Sequence, residues 1–439
     1  MSTALTTVIH LDHLYYSIKK GTIMESYQYL LDIAIILLST KVLGLLSKKF
    51  QMPQVVGALL GGLFLGPAML GLIKETELIH QIAEIGVIVL MFCAGLETDI
   101  KELGKAGKAS FIIAVLGVLV PLAGGFGIAY FFNRPGVIES ASDTSIFLQN
   151  MFIGVIITAT SVSITVETLK EIGKLNTRAG NAILGAAIID DVLGIIALTI
   201  ITSFADSGVN LIVVLLKIAG FFLFSLLFGL LFFYGFKWWT EQYKKDMRRF
   251  TIISFVFCLF MSYIAEKYFG VADITGAYIA GLIISNSQRN HYIASRFDTL
   301  SYIFLSPIFF ASVGLKVILP EMSWNIILFA IILVAVATLT KIIGCGIGAK
   351  VCGYTNKETV QIGMGMISRG EVALIVASKG AAVGLMSSTF LGPIIVVVVA
   401  TTIIAPILLK LSFRSAPGST EGNRFAGTFD ELENYQKDI

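Results

Sequence analysis

Runs of about 20 apolar residues recur from one end of this 439-residue chain to the other. Each is long enough to cross the roughly 30 Å hydrocarbon core of a bilayer as a helix. A backbone in hydrocarbon must satisfy its own hydrogen bonds, and a helix does so within one segment. The chain therefore reads as an all-α polytopic membrane protein whose first partner is the lipid bilayer. At 56% hydrophobic and 14% charged residues, the composition agrees.

Thirteen spans are expected, near 26–47, 53–72, 80–97, 109–133, 147–169, 178–204, 210–239, 250–268, 272–286, 297–318, 324–350, 357–383 and 389–411. An odd count sets the termini on opposite sides. Loop cations gather on one face, at Lys48, Lys49, Lys101, Lys105, Lys108, Lys170, Lys174, Arg178, Lys237, Lys244, Lys245, Arg248, Arg249, Arg289, Arg296, Lys350 and Lys357. The short loops of the other face hold Lys74, Arg134, Lys267 and Lys316. By the positive-inside rule the N-terminus is outside and the C-terminus cytoplasmic.

Several classes drop out. A net charge of +3, spread over short loops, gives no nucleic-acid surface. Cys93, Cys258, Cys345 and Cys352 lack metal or CxxC spacing and read as packing residues. His10, His13, His80 and His291 lie away from the span centres, so no histidine metal site is expected. No cofactor and no enzymatic activity are expected. Residues 1–25 form an N-terminal extension without signal-peptide order, native or an added leader. The polar tail, 412–439, is too short for a nucleotide-binding or regulatory domain.

The chain repeats itself. "GALLGGL" at Gly57–Leu63 and "GAYIAGL" at Gly276–Leu282 share four identities at an offset of 219 (276 minus 57). "MFCAGL" at Met91–Leu96 meets "FASVGL" at Phe310–Leu315 at the same offset. The copies are seven spans apart, an odd number, so they must run in opposite directions through the membrane. Inverted-topology repeats mark secondary transporters, which carry a pair of broken helices around a midplane site. "TATSVSIT" at Thr158–Thr165, rich in hydroxyl and β-branched residues, and "GMGMISRGE" at Gly363–Glu371, with three glycines and two charges, are the two disrupted segments. They too lie seven spans apart.

"GAAIIDDVLGII" at Gly185–Ile196 sets Asp190 and Asp191 inside a span. Each carboxylate there costs about 2.5–3.5 kcal/mol unless it is paired or wetted. Neighbouring helical residues diverge by roughly 100°, so the two acids have different jobs. Lys341 is the one lysine near the middle of another span, and Asp190 is its economical partner. Asp191 is then left for a wet cavity, where a hard monovalent cation is held with Thr160, Ser161 and freed carbonyls of the broken span. Proton and cation compete for that site, and competition under alternating access is exchange. Alternatively, Asp190, Asp191 and Lys341 form a purely structural buried network. Arg369 and Glu371 read as a local charge pair stabilising the second broken helix, or Glu371 lines the ion path. Glu167 is another candidate partner for Arg369, and Lys379 reads as a snorkelling lysine.

The segments "TATSVSIT" (158–165), "IIDDVLGI" (188–195), "TLTKIIG" around Lys341 and "SRGEVALI" (368–375) occur together in this order. With them the chain resembles the cation/proton antiporter-2 family, and within it the NapA-type sodium/proton antiporters, over about residues 26–411. The resemblance implies a thirteen-helix NapA/NhaA-like antiporter fold with two broken crossing helices. A homodimeric scaffold would comprise 26–97 and 250–318, a transport core 109–204 and 324–411, and a linker helix 210–239. It implies that Asp191 is the ion-binding, proton-exchanging carboxylate and that Asp190 pairs with Lys341. Thr158, Thr160, Ser161 and Glu371 are auxiliary candidates on the ion path, and Arg369 is a structural charge at the break. The two-Asp motif implies electrogenic sodium (or lithium)/proton exchange in the plasma membrane, serving pH and sodium homeostasis. Potassium/proton antiport, a channel, and a sodium-coupled solute symporter are the alternatives.

Overall fold

The structure is a computed structural model that describes residues 27–50, 52–134, 136–138, 144–205, 211–242, 248–287, 289–317, 323–382 and 384–414. The whole of the expected N-terminal extension and all of the expected tail after residue 414 lie outside these residues. Among them there is no strand. The first helices are α1 (Tyr27–Lys49), α2 (Gln54–Leu65), α3 (Glu77–Glu97) and α4 (Ile100–Phe132). Next come α5 (Ile146–Ile156), α6 (Val162–Glu171), α7 (Arg178–Ala205) and α8 (Leu211–Gln242). Then follow α9 (Arg248–Ile264), α10 (Asp273–Ser285), α11 (Asn290–Leu300) and α12 (Ser306–Leu315). Last are α13 (Trp324–Val351), α14 (Asn356–Gly365), α15 (Glu371–Ala382) and α16 (Leu391–Phe413). Nine continuous helices among the described residues are long and apolar enough to cross a membrane.

Three span boundaries differ from the hydropathy reading for identifiable reasons. The second span ends at Leu65 because Gly66 and Pro67 cannot continue a helix, although the apolar run goes on to Leu72. A π-helical turn, Ser301–Leu305, joins α11 to α12, so that helix begins at Asn290, in polar sequence that a hydropathy window passes over. Likewise α4 begins in the charged stretch from Ile100. The span expected at 147–169 is two helices, α5 and α6, and that at 357–383 is also two, α14 and α15.

Two packing groups share the molecule. Helix α4 packs between α13, α7 and α5, with α14 and α16 against α13 and α15 against α16. Helices α3 and α10 pack together, as do α2 and α12, with α9 against α10. Helix α8 touches α7 on one side and α10 on the other. Along α8, Leu216, Leu223, Leu227 and Leu231 are exposed, a face suited only to lipid or to another apolar surface.

Within a bilayer, helices gain little from leaving lipid for one another, so close backbone approach through small residues sets their pairing. A Cβ on Gly62 would stand 1.9 Å from the Ala311 carbonyl oxygen, and one on Gly314 2.4 Å from the Leu63 nitrogen. A Cβ on Gly281 would meet the Phe92 oxygen at 2.2 Å, and one on Gly95 the Tyr278 oxygen at 2.3 Å. Gly62 and Gly281 occupy the same position of the repeated heptapeptide, and Gly95 and Gly314 the same position of the second repeated motif. The contact of α2 with α12 thus reproduces, residue for residue, the contact of α10 with α3.

Candidate functional site

Both interrupted helices come apart at the same place. Between α5 and α6 the helix is interrupted at 157–161, and between α14 and α15 at 366–370. The Ser161 backbone N–H donates to the Ser368 carbonyl at 2.8 Å, and the Ser368 hydroxyl donates to the Ser161 carbonyl at 2.9 Å. Thr165 donates to the Gly365 carbonyl at 2.8 Å, and its hydroxyl lies 2.9 Å from that of Ser368. Each break therefore supplies partners for the polar groups that the other leaves without a helical bond, which is what lets irregular backbone exist at membrane depth.

Around the crossing lie the buried charges. Lys341 on α13 is 0% exposed, and its ammonium makes three bonds, each 2.8 Å long, to Asp190 Oδ1, the Gly117 carbonyl of α4 and the Thr158 carbonyl beyond α5. Three donors meet three acceptors, so the cation is fully satisfied. Gly117 permits this, since a Cβ there would fall 2.6 Å from Cys345 Sγ and 3.7 Å from Lys341 Nζ. The second oxygen of Asp190, Oδ2, is buried with no hydrogen-bond partner.

Asp191 is half-buried. With Asp190, Thr158, Ala159 and Gly194 it lines a cavity of about 80 Å³, enough for a few waters or a hydrated cation. Ala272, just before α10, closes one wall, so the cavity lies where the two packing groups face each other. A larger cavity of about 270 Å³, lined by Lys41, Gln54, Glu167 and Tyr302 among others, reaches neither acid. There Lys41 donates to the Tyr302 hydroxyl.

Other candidate residues fall differently. Thr158 reaches the cavity, and its hydroxyl turns back to the Val155 carbonyl at 2.8 Å. Thr160 and Ser161 are buried at the crossing, with Thr160 3.5 Å from the Met366 carbonyl and Ser161 3.2 Å from the Ser163 hydroxyl. Arg369 is 0% exposed and donates to backbone carbonyls: that of Ile367, that of Met366 at 3.5 Å and that of Ala337 at 3.1 Å. Pairing of Arg369 with Glu167 is corrected by this geometry, because Glu167 faces the larger cavity while Arg369 sits on the carbonyl end of α14. The side chains of Glu371 and Lys379 lie outside the described residues. Sequence reading passed over the Gly117 carbonyl, which no side chain announces, whereas Thr165 and Ser368 lay inside the two disrupted motifs.

Half-helices that end inside a membrane aim partial charges at the crossing, negative where carbonyls are free and positive where N–H groups are. Lys341 meets the carbonyl end after α5, and Arg369 meets that of α14. Both negative ends are therefore countered by fixed buried cations, and the half-buried carboxylate beside the cavity is Asp191.

Comparison with known proteins follows the same line. The family model described as "Sodium/hydrogen exchanger, transmembrane" matches residues 34–414. The Na(+)/H(+)-K(+) antiporter GerN of Bacillus cereus is 37% identical over 390 residues, covering 88% of this chain and 97% of that protein. A Na(+)/H(+) antiporter of Enterococcus hirae is 38% identical over 386 residues, with 86% and 96% covered. Among solved structures, the sodium proton antiporter MjNhaP1 of Methanocaldococcus jannaschii at pH 8 superposes with a TM-score of 0.65 at 18% identity. It covers 89% of this chain and 97% of that one, which shows a shared fold.

Proposed function

This chain belongs to the sodium/hydrogen exchanger family of transmembrane proteins, and from that premise we propose that it exchanges cytoplasmic sodium or lithium for external protons. The observation that carries the reading is the unequal pair of acids, Asp190 buried on Lys341 and Asp191 half-buried at the cavity. Asp191 binds the cation on one side, releases it on the other as a proton arrives, and returns protonated. Asp190 turns to the cation as Lys341 lets go and loses a proton. Two protons then move for one sodium ion, and exchange is electrogenic. Alternating access arises as α4 to α7 and α13 to α16 move against α1 to α3 and α9 to α12, with α8 linking them; the two packing groups support this division.

Thirteen crossings follow if α5 with α6, α11 with α12, and α14 with α15 each count as one. The matched glycine contacts support an inverted repeat. A homodimer in the plasma membrane, with the N-terminus outside and the basic loops cytoplasmic, completes the proposal. Potassium is the second cation to test, because the relative GerN is named for sodium and potassium.

Sealed proteoliposomes carrying a pH gradient test the reading when sodium, lithium and potassium are added in turn. Collapse of the gradient by sodium, lost in Asp191→Asn, is expected. Competition for one site further requires that acidification raise the apparent KM for sodium at constant kcat. A folded parent that leaves the gradient intact with every cation refutes exchange.

A further inference from the structure

Lys170 occupies the last turn of α6, and its ammonium lies 3.0 Å from Glu97 Oε1 at the end of α3 and 2.9 Å from Asp298 Oδ1 on α11. One residue on, Glu171 Oε2 accepts the Gln54 backbone N–H at the start of α2, at 2.6 Å. The half-helix that leads away from the ion site is thus fastened at its far end to three helices of the other packing group. All these contacts sit at the end of the molecule that carries the basic loops.

Two further observations give the fastening a meaning. Between it and the acids, Val166 and Leu169 of α6 and Ile183 and Ala187 of α7 belong to one buried apolar cluster with Phe92 and Cys93 of α3. No wetted route crosses a packed apolar layer of this kind. The cavity beside Asp190 and Asp191 runs the other way: its walls at Leu198 on α7 and Val376 on α15 lead toward the end opposite Lys170. One approach to Asp191 has room; on the other, the cavity of about 270 Å³ that Glu167 lines stops short of both acids, and the apolar layer beside the Lys170 contacts separates it from them.

We infer that Lys170 is a positioning residue for cation exchange: it clasps α6 to α3 and α11, shuts the basic-loop approach to Asp191, and must release before a cation enters from that face. The inference rests on the exchange reading above for its role in a cycle, and on geometry alone for the closure. Lys170, Glu97 and Asp298 are 17%, 29% and 44% exposed, so water competes for each contact and the clasp is breakable. Without Lys170, Glu97 and Asp298 are left as adjacent like charges with no cation from α6 between them, so this tie from α6 across the gap is lost.

Ser163, Glu167 and Lys170 fall at i, i+4 and i+7, on one stripe of α6. Ser163 is buried, 2% exposed, and lies on the sealed route. The test places a cysteine by Ser163→Cys and treats everted and right-side-out vesicles with a membrane-impermeant maleimide, reading modification at that position by mass spectrometry. Adding Lys170→Met is expected to raise labelling from the basic-loop face about three- to tenfold and to lower the KM for sodium on that face more than it changes kcat. The exchanged pair Lys170→Glu with Glu97→Lys restores a cation between two carboxylates and is expected to return labelling to the parent level. If Lys170→Met and the exchanged pair both label as the parent does, the clasp is overturned even where sodium/proton exchange is intact. If the parent exchanges no cation, labelling still decides the closure, so the two failures are told apart. Should Lys170→Met fail to fold, Glu97→Gln with Asp298→Asn opens the same contact and takes its place.

Discussion

The Lys341 ammonium and the Asp190 carboxylate meet at 2.8 Å with both side chains fully buried. Removing one member of such a pair leaves the other as an uncompensated charge in a medium of low polarity.

Asp190→Asn is accordingly expected to destabilise the protein by about 3–5 kcal/mol, and Lys341→Met similarly. The double variant is expected to recover most of that loss. Denaturant or thermal unfolding in detergent measures all three, and simple additivity in the double variant would show that the two residues are not coupled.

Charge bookkeeping across the cycle gives a second expectation. With Lys341→Gln there is no lysine proton to release as the cation binds, so one charge fewer crosses per turnover. Sodium/proton exchange should continue while its rate ceases to respond to an imposed membrane potential. A voltage dependence equal to that of the parent would remove Lys341 from the proton count.

Gly117→Ala sets a methyl group 2.6 Å from Cys345 Sγ, beside the oxygen that accepts from Lys341. Overpacking of this kind costs about 1–3 kcal/mol. Adding Cys345→Ala makes room for the methyl, and partial recovery of the melting temperature is expected. Equal instability with and without Cys345 would point to a different obstruction.

Glycines at the helix crossings can be ranked by the same reasoning. Gly62→Ala and Gly281→Ala drive a methyl group to 1.9 Å and 2.2 Å from a backbone oxygen of the partner helix, with no flexible side chain to yield. Each is expected to destabilise by at least about 1–3 kcal/mol. Gly104→Ala on α4 meets nothing within 4 Å and should instead stabilise by about 0.4–1 kcal/mol. Side-by-side unfolding of the three variants checks the order.

Much of this was legible because hydrocarbon penalises charge so heavily. Two adjacent acids in an apolar run advertise a site, and a lone mid-span lysine names its partner almost by elimination. The disrupted spans were legible too, because hydroxyls and glycines betray a helix that stops. What stayed hidden involves the backbone. Gly117 contributes only a carbonyl, Arg369 chose carbonyls over a carboxylate, and Thr160 and Ser161 spend themselves tying one break to the other. Backbone acceptors carry no letter in a sequence. The polar first turns of α11 were missed for a related reason, since hydropathy reports where a helix is buried in lipid and is silent on where it begins.

The matched crossings of α2 with α12 and of α3 with α10 also set an order of events at the ribosome. About 250 residues separate Gly62 from Ala311, which at 5–20 residues per second means roughly 10–50 s of synthesis. During that interval α2 and α3 stand in the membrane with their glycine faces uncovered, each waiting for a helix from the second half of the chain. The first half cannot finish folding by itself. It must be kept from unsuitable neighbours in the bilayer, so the place where the two halves interlock is also where translation speed and membrane crowding bear on the yield of folded protein.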